Sequence, residues 1–197
     1  MKPLTRDDLY SLEAYADARA DFRHRVIEHK KHRQVRLHPN AALYFEDRLT
    51  IQYQIQEMLR VERIFERAAI QEELDAYNPL IPDGSNWKAT FMLEYPDVDE
   101  RRRELARLGG IEHKVWVQVE GCGRIRAIAN EDMERTTDDK TAAVHFMRFE
   151  LDAVSIAALR TGSALHMGIE HPGLPCDIAV PEVTRQALLH DLADHVA

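Results

Sequence analysis

Cysteine is scarce in this chain. Two occur, Cys122 and Cys176, outside any CxxC spacing. That is too few for a disulfide framework or a cysteine-only zinc site, and it fits reduced thiols in a cytoplasm. Long apolar runs are also missing, and nothing approaches the roughly 18–20 residues that a membrane-spanning helix needs. The N-terminal "MKPLTRDDLYSLEAYADARADF" is charged and helix-like, without the apolar centre of a signal peptide. We therefore expect a cytoplasmic protein with no membrane association. Positive charge is the minority sign, 26 Lys/Arg against 34 Asp/Glu for a net charge of −8, which argues against a general nucleic-acid binder. There is no GxSxG, P-loop, GxGxxG, HExxH or kinase signature, so no motif nominates a reaction.

What is present suits an ordinary folded chain. Its 197 residues are 45% hydrophobic and 30% charged. That is enough material for one domain, 1–197, with a real core. A Thr5-Arg-Asp-Asp8 start predicts a helix from the N-terminus, carried by Leu9, Leu12, Tyr15, Phe22 and Val26 into a basic segment and ended at "LHPN" by Pro39. From Phe45 to Tyr77 no turn residue appears. Leu49, Ile51, Tyr53 and Ile55 alternate as in a strand, but the helix formers that follow favour one long, centrally buried helix. After the loop "NPLIPDGSN" the periodicity changes. "WKATFMLEY" reads as a strand, "PDVDERRRELARL" as a helix capped by Asp97 with Glu100, and "KVWVQVE" with "RIRAIAN" as a hairpin about "GCG". "AAVHFMRFEL", "ALHMGIEH" and "CDIAVP" add strands, and Pro181 opens a last helix. The expected fold is α+β: a helical part (1–77) of long N-terminal helices packed on a mostly antiparallel sheet (87–180) with an inserted helix, then a closing helix (181–197).

Four groups could carry chemistry. The segment "RHRVIEHKKHRQVRLH" (23–38) holds six Lys/Arg and four His against one Glu. On a helix His24, Glu28 and His32 would share a face, a spacing that can grip a transition metal. The surrounding cations oppose metal binding, so a solvated face is favoured, with Arg25, Lys30, Lys31 and Arg33 as a docking surface for an acidic partner. The central helix carries Gln52, Gln56, Arg60 and Arg63 along one row, with Glu57 and Glu62 beside it. Buried amides and charges must be paired, which makes this either an internal polar network or a ligand pocket. His145 shares a strand face with Met147, Phe149 and Leu151, the position of a hydrogen-bonded core histidine or of a buried ligand. In the loop, Asp83, Asn86 and Lys88 suit turn chemistry, with a pocket rim as the other reading.

Over essentially the whole chain, "FEDRLTIQYQIQEMLRVERIF", "AYNPLIPDGSNWKATFMLEYPD" and "AVHFMRFEL" resemble a bacterial family known only as a domain of unknown function. The resemblance implies genes lying beside those for rubrerythrin-like proteins and iron–sulfur oxidoreductases. It implies no catalytic residues. The expectation is an accessory protein that binds a ligand, a metal such as iron, or a redox protein partner. Its site would lie between the central helix and the sheet and use Gln56, Glu57, Arg60, Glu62 and His145, with Glu57 and His145 as the metal ligands. Two alternatives remain: a homodimeric interaction module without cofactor, and an enzyme with a buried Glu/His acid–base pair.

Overall fold

The computed structural model describes residues 2–131 and 140–193. Thr5 starts only a 3₁₀ turn, Arg6–Asp8, in which the Asp8 carboxylate accepts from the Thr5 amide. The first long helix, α1 (Leu12–Lys30), begins later, at Ser11, whose hydroxyl accepts from the Ala14 amide. It does not run to Pro39 as expected. Residues beyond it form a hairpin, β1 (Gln34–His38) and β2 (Ala41–Glu46). The reason is visible in burial: Val35 and Leu37 face inward, while Arg36 is exposed, a strand alternation too short to stand out beside a helix pattern.

The single helix expected over 45–77 is also corrected. Its first two residues belong to β2, Asp47 caps α2 (Arg48–Val61), and a separate α3 (Arg67–Tyr77) follows. Residues 49–56 are helical. The break has no Gly or Pro; Arg63 adopts a left-handed φ of 57° and the Ile64 amide returns to the Leu59 carbonyl at 2.8 Å. Ile64 thereby packs on the cluster of Ile51, Ile55 and Leu59, so tertiary burial, not local propensity, ends the helix.

Further along come β3 (Asn86–Leu93), α4 (Val98–Arg107), β4 (Val115–Val119), β5 (Arg124–Arg126) and β6 (Ile128–Ala129). They are followed by β7 (Val144–Glu150), α5 (Ala153–Arg160), β8 (Leu165–Ile169), β9 (Cys176–Ala179) and α6 (Glu182–Leu189). Asp97 caps α4 by accepting from the Glu100 amide, as its spacing predicts. The sequence reading missed α5, which Asp152 caps through the Ser155 amide. The closing helix is shorter than expected: α6 stops at Leu189, and residues 194–197 lie outside the described residues.

The strands make two antiparallel sheets in place of one, in the orders β1-β2-β3-β7-β6 and β5-β4-β8-β9. The chain crosses between them at Ala127, whose amide bonds the Val115 carbonyl at 2.9 Å. Leu43, Phe45, Trp87, Phe91 and Phe149 from the first sheet meet Val115, Val117, Leu165 and Met167 from the second in the main core. A fully buried aromatic of this kind stabilises by about 2–3 kcal/mol. The Trp87 indole donates to the Leu188 carbonyl at 2.9 Å, which fastens the end of α6 to the first sheet. Helices α1 and α2 pack through Tyr15, Phe22 and Val26 against Leu49 and Tyr53. The fold is α+β, with this helical layer outside the first sheet.

Candidate ligand groove

Residues that point away from the core on β2, β3 and β7 line up in cross-strand rows, because the register is fixed by the buried face. Glu46, Lys88 and Arg148 form a charged row, Tyr44, Thr90 and Phe146 a mixed one, and Ala42, Met92 and Val144 an apolar one. The helical layer stands off this surface. Two cavities of ≈ 490 and ≈ 370 Å³ open beneath it and share Tyr77, Leu80 and Phe146 as walls, making one groove. From above, α2 contributes Ile51 and Gln54, and the end of α1 contributes Lys30. Polarity is therefore graded along the groove, charged at one end and apolar at the other.

Most of the charges are already matched. Arg148 binds Glu131 at 2.7 Å and Glu150 at 2.5 Å, and the bond to Glu131 holds its guanidinium firmly protonated. Glu46 accepts from the hydroxyls of Thr50 at 2.6 Å and Thr90 at 3.0 Å. The Tyr44 hydroxyl donates to Glu94 at 2.6 Å. Lys88 is different. It is half-buried, and burial followed by the neighbouring Arg148 pushes its pKa down, while Glu131, Asp83 and Glu150 pull the other way from a distance. No hydrogen bond or ion pair within 4.0 Å reaches its ammonium among the described residues. Asp83 and Asn86 serve the turn instead: the Asp83 carboxylate accepts from the Ser85 amide at 2.9 Å and from the Asn86 side chain at 2.8 Å. Of the three loop residues weighed as a pocket rim, Lys88 lines the groove.

The site expected from sequence is not assembled. Gln56 is fully buried, but its amide clasps the backbone of Tyr10, accepting from the N–H at 2.6 Å. Glu57 accepts from the Tyr15 hydroxyl at 2.6 Å and binds Arg19 in a two-pronged pair at 2.8 Å, tying α1 to α2. Arg60 and Glu62 are exposed. His145 is fully buried, as its strand face predicts, and lies between the two sheets, on the opposite side of β7 from the groove-lining Val144, Phe146 and Arg148. Its ring nitrogens contact the Thr141 hydroxyl at 2.9 Å and Asn130 at 3.1 Å, and among the described residues the Glu112 carboxylate lies 4.0 Å away. Sequence reasoning missed Glu112, which sits in a short turn with no periodic signal. Among the described residues Glu57 and His145 thus share no partner, and no three His, Cys, Asp or Glu side chains are placed to hold a metal ion.

The basic segment is dispersed as well. Arg25 lies 4.9 Å over the Phe22 ring, Lys31 pairs with Glu28 at 2.6 Å, and Lys30 lines the groove. Arg33 is 2% exposed, so the four do not form one docking surface. Both cysteines are free and partly buried, and burial pushes the Cys176 thiol up, away from reactivity. No helix among the described residues is long and apolar enough to cross a membrane.

These features define an α+β protein with a helical layer over one of two facing sheets. Residues 3–192 match the family model described as "Protein of unknown function (DUF3501)", and the chain belongs to that family. It is also similar to a crystal structure of a protein of unknown function from Burkholderia pseudomallei K96243. That similarity has 48% sequence identity and a TM-score of 0.93, and it covers 98% of this chain and 100% of the other. No curated protein matches.

Proposed function

We propose that the chain is a binding protein for a small amphipathic carboxylate, held in the groove between the first sheet and the helical layer. The observation that carries this reading is the Lys88 ammonium, half-buried and, among the described residues, without an ion-pair partner at the charged end of an otherwise apolar trough. A cation in that setting gains most from a charge-assisted bond to an anion, since water is only partly available to it. Glu46 and Glu131 border the same groove, so a single negative charge is accommodated better than the two of a phosphate. Leu80, Tyr77, Phe146, Met92 and Val144 supply the apolar bed for the remainder of the molecule. The volume falls within the range of small-molecule sites.

Of the expected forms of the accessory role, the ligand form is the one this groove supports, with residues other than those expected from the sequence. A melting screen with hexanoate to dodecanoate and with aromatic carboxylates tests it. Wild-type protein is expected to be stabilised by several of them, with binding about 10-fold weaker in Lys88→Met and for the uncharged amides, the size of one charge-assisted bond. Absence of any shift across the series, or a Lys88→Met variant that binds as tightly as wild type, would sink the reading.

A further inference from the structure

Consecutive residues serve two different places: Glu46 lines the groove, whereas Asp47 lines a second cleft of ≈ 410 Å³ between the end of α1 and α6. Asp47 is held there with little freedom. One carboxylate oxygen accepts from the Leu49 and Thr50 amides at 3.0 and 2.9 Å as the cap of α2. The other oxygen faces His29 Nε2 at 2.5 Å and Arg33 Nε at 3.5 Å. Arg33 is consumed internally. It meets Asp191 and donates to the carbonyls of Phe45 at 3.2 Å, Glu46 at 3.1 Å and Ala187 at 3.2 Å, which uses four of its five N–H donors, and its side chain is only 2% exposed, so it presents little to a ligand. His29 is the member that reaches solvent, with 35% of its side chain exposed. A carboxylate can only accept, so the proton of that contact sits on Nε2. In the neutral ring this leaves the lone pair on Nδ1, which has no hydrogen-bond partner among the described residues. His32 and His190 complete the polar rim, and Val183 and Ala187 supply an apolar wall.

We propose that this cleft is a proton-transfer site, with His29 as its base and Asp47 as the positioning residue, for a small substrate that carries an acidic C–H. Among the described residues no hydroxyl or thiol lines the cleft, and its guanidinium is 2% exposed with four of five donors engaged, so covalent attack and phosphate chemistry lack the groups they need. What remains is an imidazole oriented by a buried carboxylate, which stabilises the imidazolium formed when Nδ1 takes a proton. In the substrate, the C–H electron pair moves onto the neighbouring electron-accepting group. The same imidazolium then returns its proton at the new position, so no oxidant, reductant or co-reactant is consumed. The side chains Asp47 and Asp191 belong to elements far apart in sequence, so the constellation exists only in the folded chain. It is independent of the carboxylate groove.

The elimination of 5-nitrobenzisoxazole tests the proposal without knowledge of the natural substrate. Nδ1 takes the C3 proton, the C–H pair becomes part of the nitrile, the N–O bond breaks, and the phenolate leaves with that electron pair and is read by its colour. Wild-type protein is expected to exceed free imidazole at equal concentration by about 100-fold, the lower end of positioned acid–base catalysis. His29→Gln is expected to fall to the level of buffer, with His32→Gln and His190→Gln close to wild type. Asp47→Asn keeps a good helix cap and therefore the fold, which circular dichroism and melting would check. It is expected to lower kcat at least about 10-fold with KM little changed, a split that a merely structural role would not produce. A wild-type rate no greater than that of imidazole, or full activity in His29→Gln, overturns the proposal.

Discussion

The guanidinium of Arg33 and the carboxylate of Asp191 meet across 158 residues of sequence, and both side chains are 2% exposed. The contact joins the turn after α1 to the turn after α6, and the adjoining Arg33 bond to the Ala187 carbonyl holds the helix itself. Asp47 shares the same guanidinium at 3.5 Å, so two buried carboxylates face one arginine, and His29 Nε2 lies 2.5 Å from Asp47.

That arrangement pushes the two carboxyls apart. Burial raises Asp191 to about 6 against the pull of Arg33, and the charge of Asp47 adds to the rise. Burial opposes ionisation of Asp47 too, but Arg33, the Thr50 amide and His29 outweigh it and hold its pKa below the ordinary value. For Asp191 the folded pKa lies above the unfolded one, so the stability it contributes is fully present below about 3.8 and is lost as pH rises through about 6. Asp47 acts in the opposite sense: its contribution is present above 3.8 and lost as pH falls through the depressed folded value, outside the window of interest. Urea unfolding at pH 7 and pH 5 is therefore expected to show wild type gaining about 1 kcal/mol relative to Asp191→Asn on acidification. Parallel pH trends in the two proteins would contradict it.

Local signals in the sequence were legible and non-local ones were not. The Asp97 cap, the β4–β5 hairpin and the face of His145 were read correctly because each is decided within a few residues. Arg63 could not be, since its left-handed turn is imposed by Ile64 packing back on α2. The β1–β2 hairpin was hidden by its basic residues, which continue the charge pattern of α1. A site between the central helix and the sheet was the expectation, but the residues that line the groove depend on the β2–β3–β7 register, and a one-residue slip would have placed His145 there instead of Phe146. Arg33 read as a surface cation because nothing in its neighbours announces Asp47 and Asp191.

Glu57 distinguishes the clamp seen in the structure from the ligand role its sequence position suggested. Its carboxylate joins Tyr15 and Arg19 of α1 to α2, and the Arg19 bond, with help from the Tyr15 hydroxyl, keeps its pKa below the ordinary glutamate range. Glu57→Gln removes the charge that both partners use while preserving shape. The expected result is a loss of about 1–2 kcal/mol in denaturant unfolding, typical of a hydrogen bond to a charged group. Carboxylate binding in the groove should stay within about 2-fold of wild type, below any meaningful loss of interaction energy. Weakened binding with unchanged stability would restore Glu57 to the site.

Gly168 in β8 lies between Trp116 of β4 and Asp177 of β9 in the second sheet. A Cβ there would come within 2.2 Å of the Cys176 carbonyl oxygen and 2.5 Å of the Trp116 ring. Neither can yield cheaply. The carbonyl is part of the β8–β9 ladder, and Trp116 is 1% exposed, with the Arg124 guanidinium stacked 4.0 Å above its ring. Gly168→Ala must therefore shift backbone in a packed sheet, at a cost of about 2–3 kcal/mol or more. The tryptophan fluorescence of the folded state should change with it, since the ring is the other group displaced. Gly109→Ala is the matched control: an added methyl there meets nothing within 4 Å, and the expected change in stability is under about 0.5 kcal/mol. If both variants melt together with wild type, β8 and β9 do not approach as closely as this sheet requires.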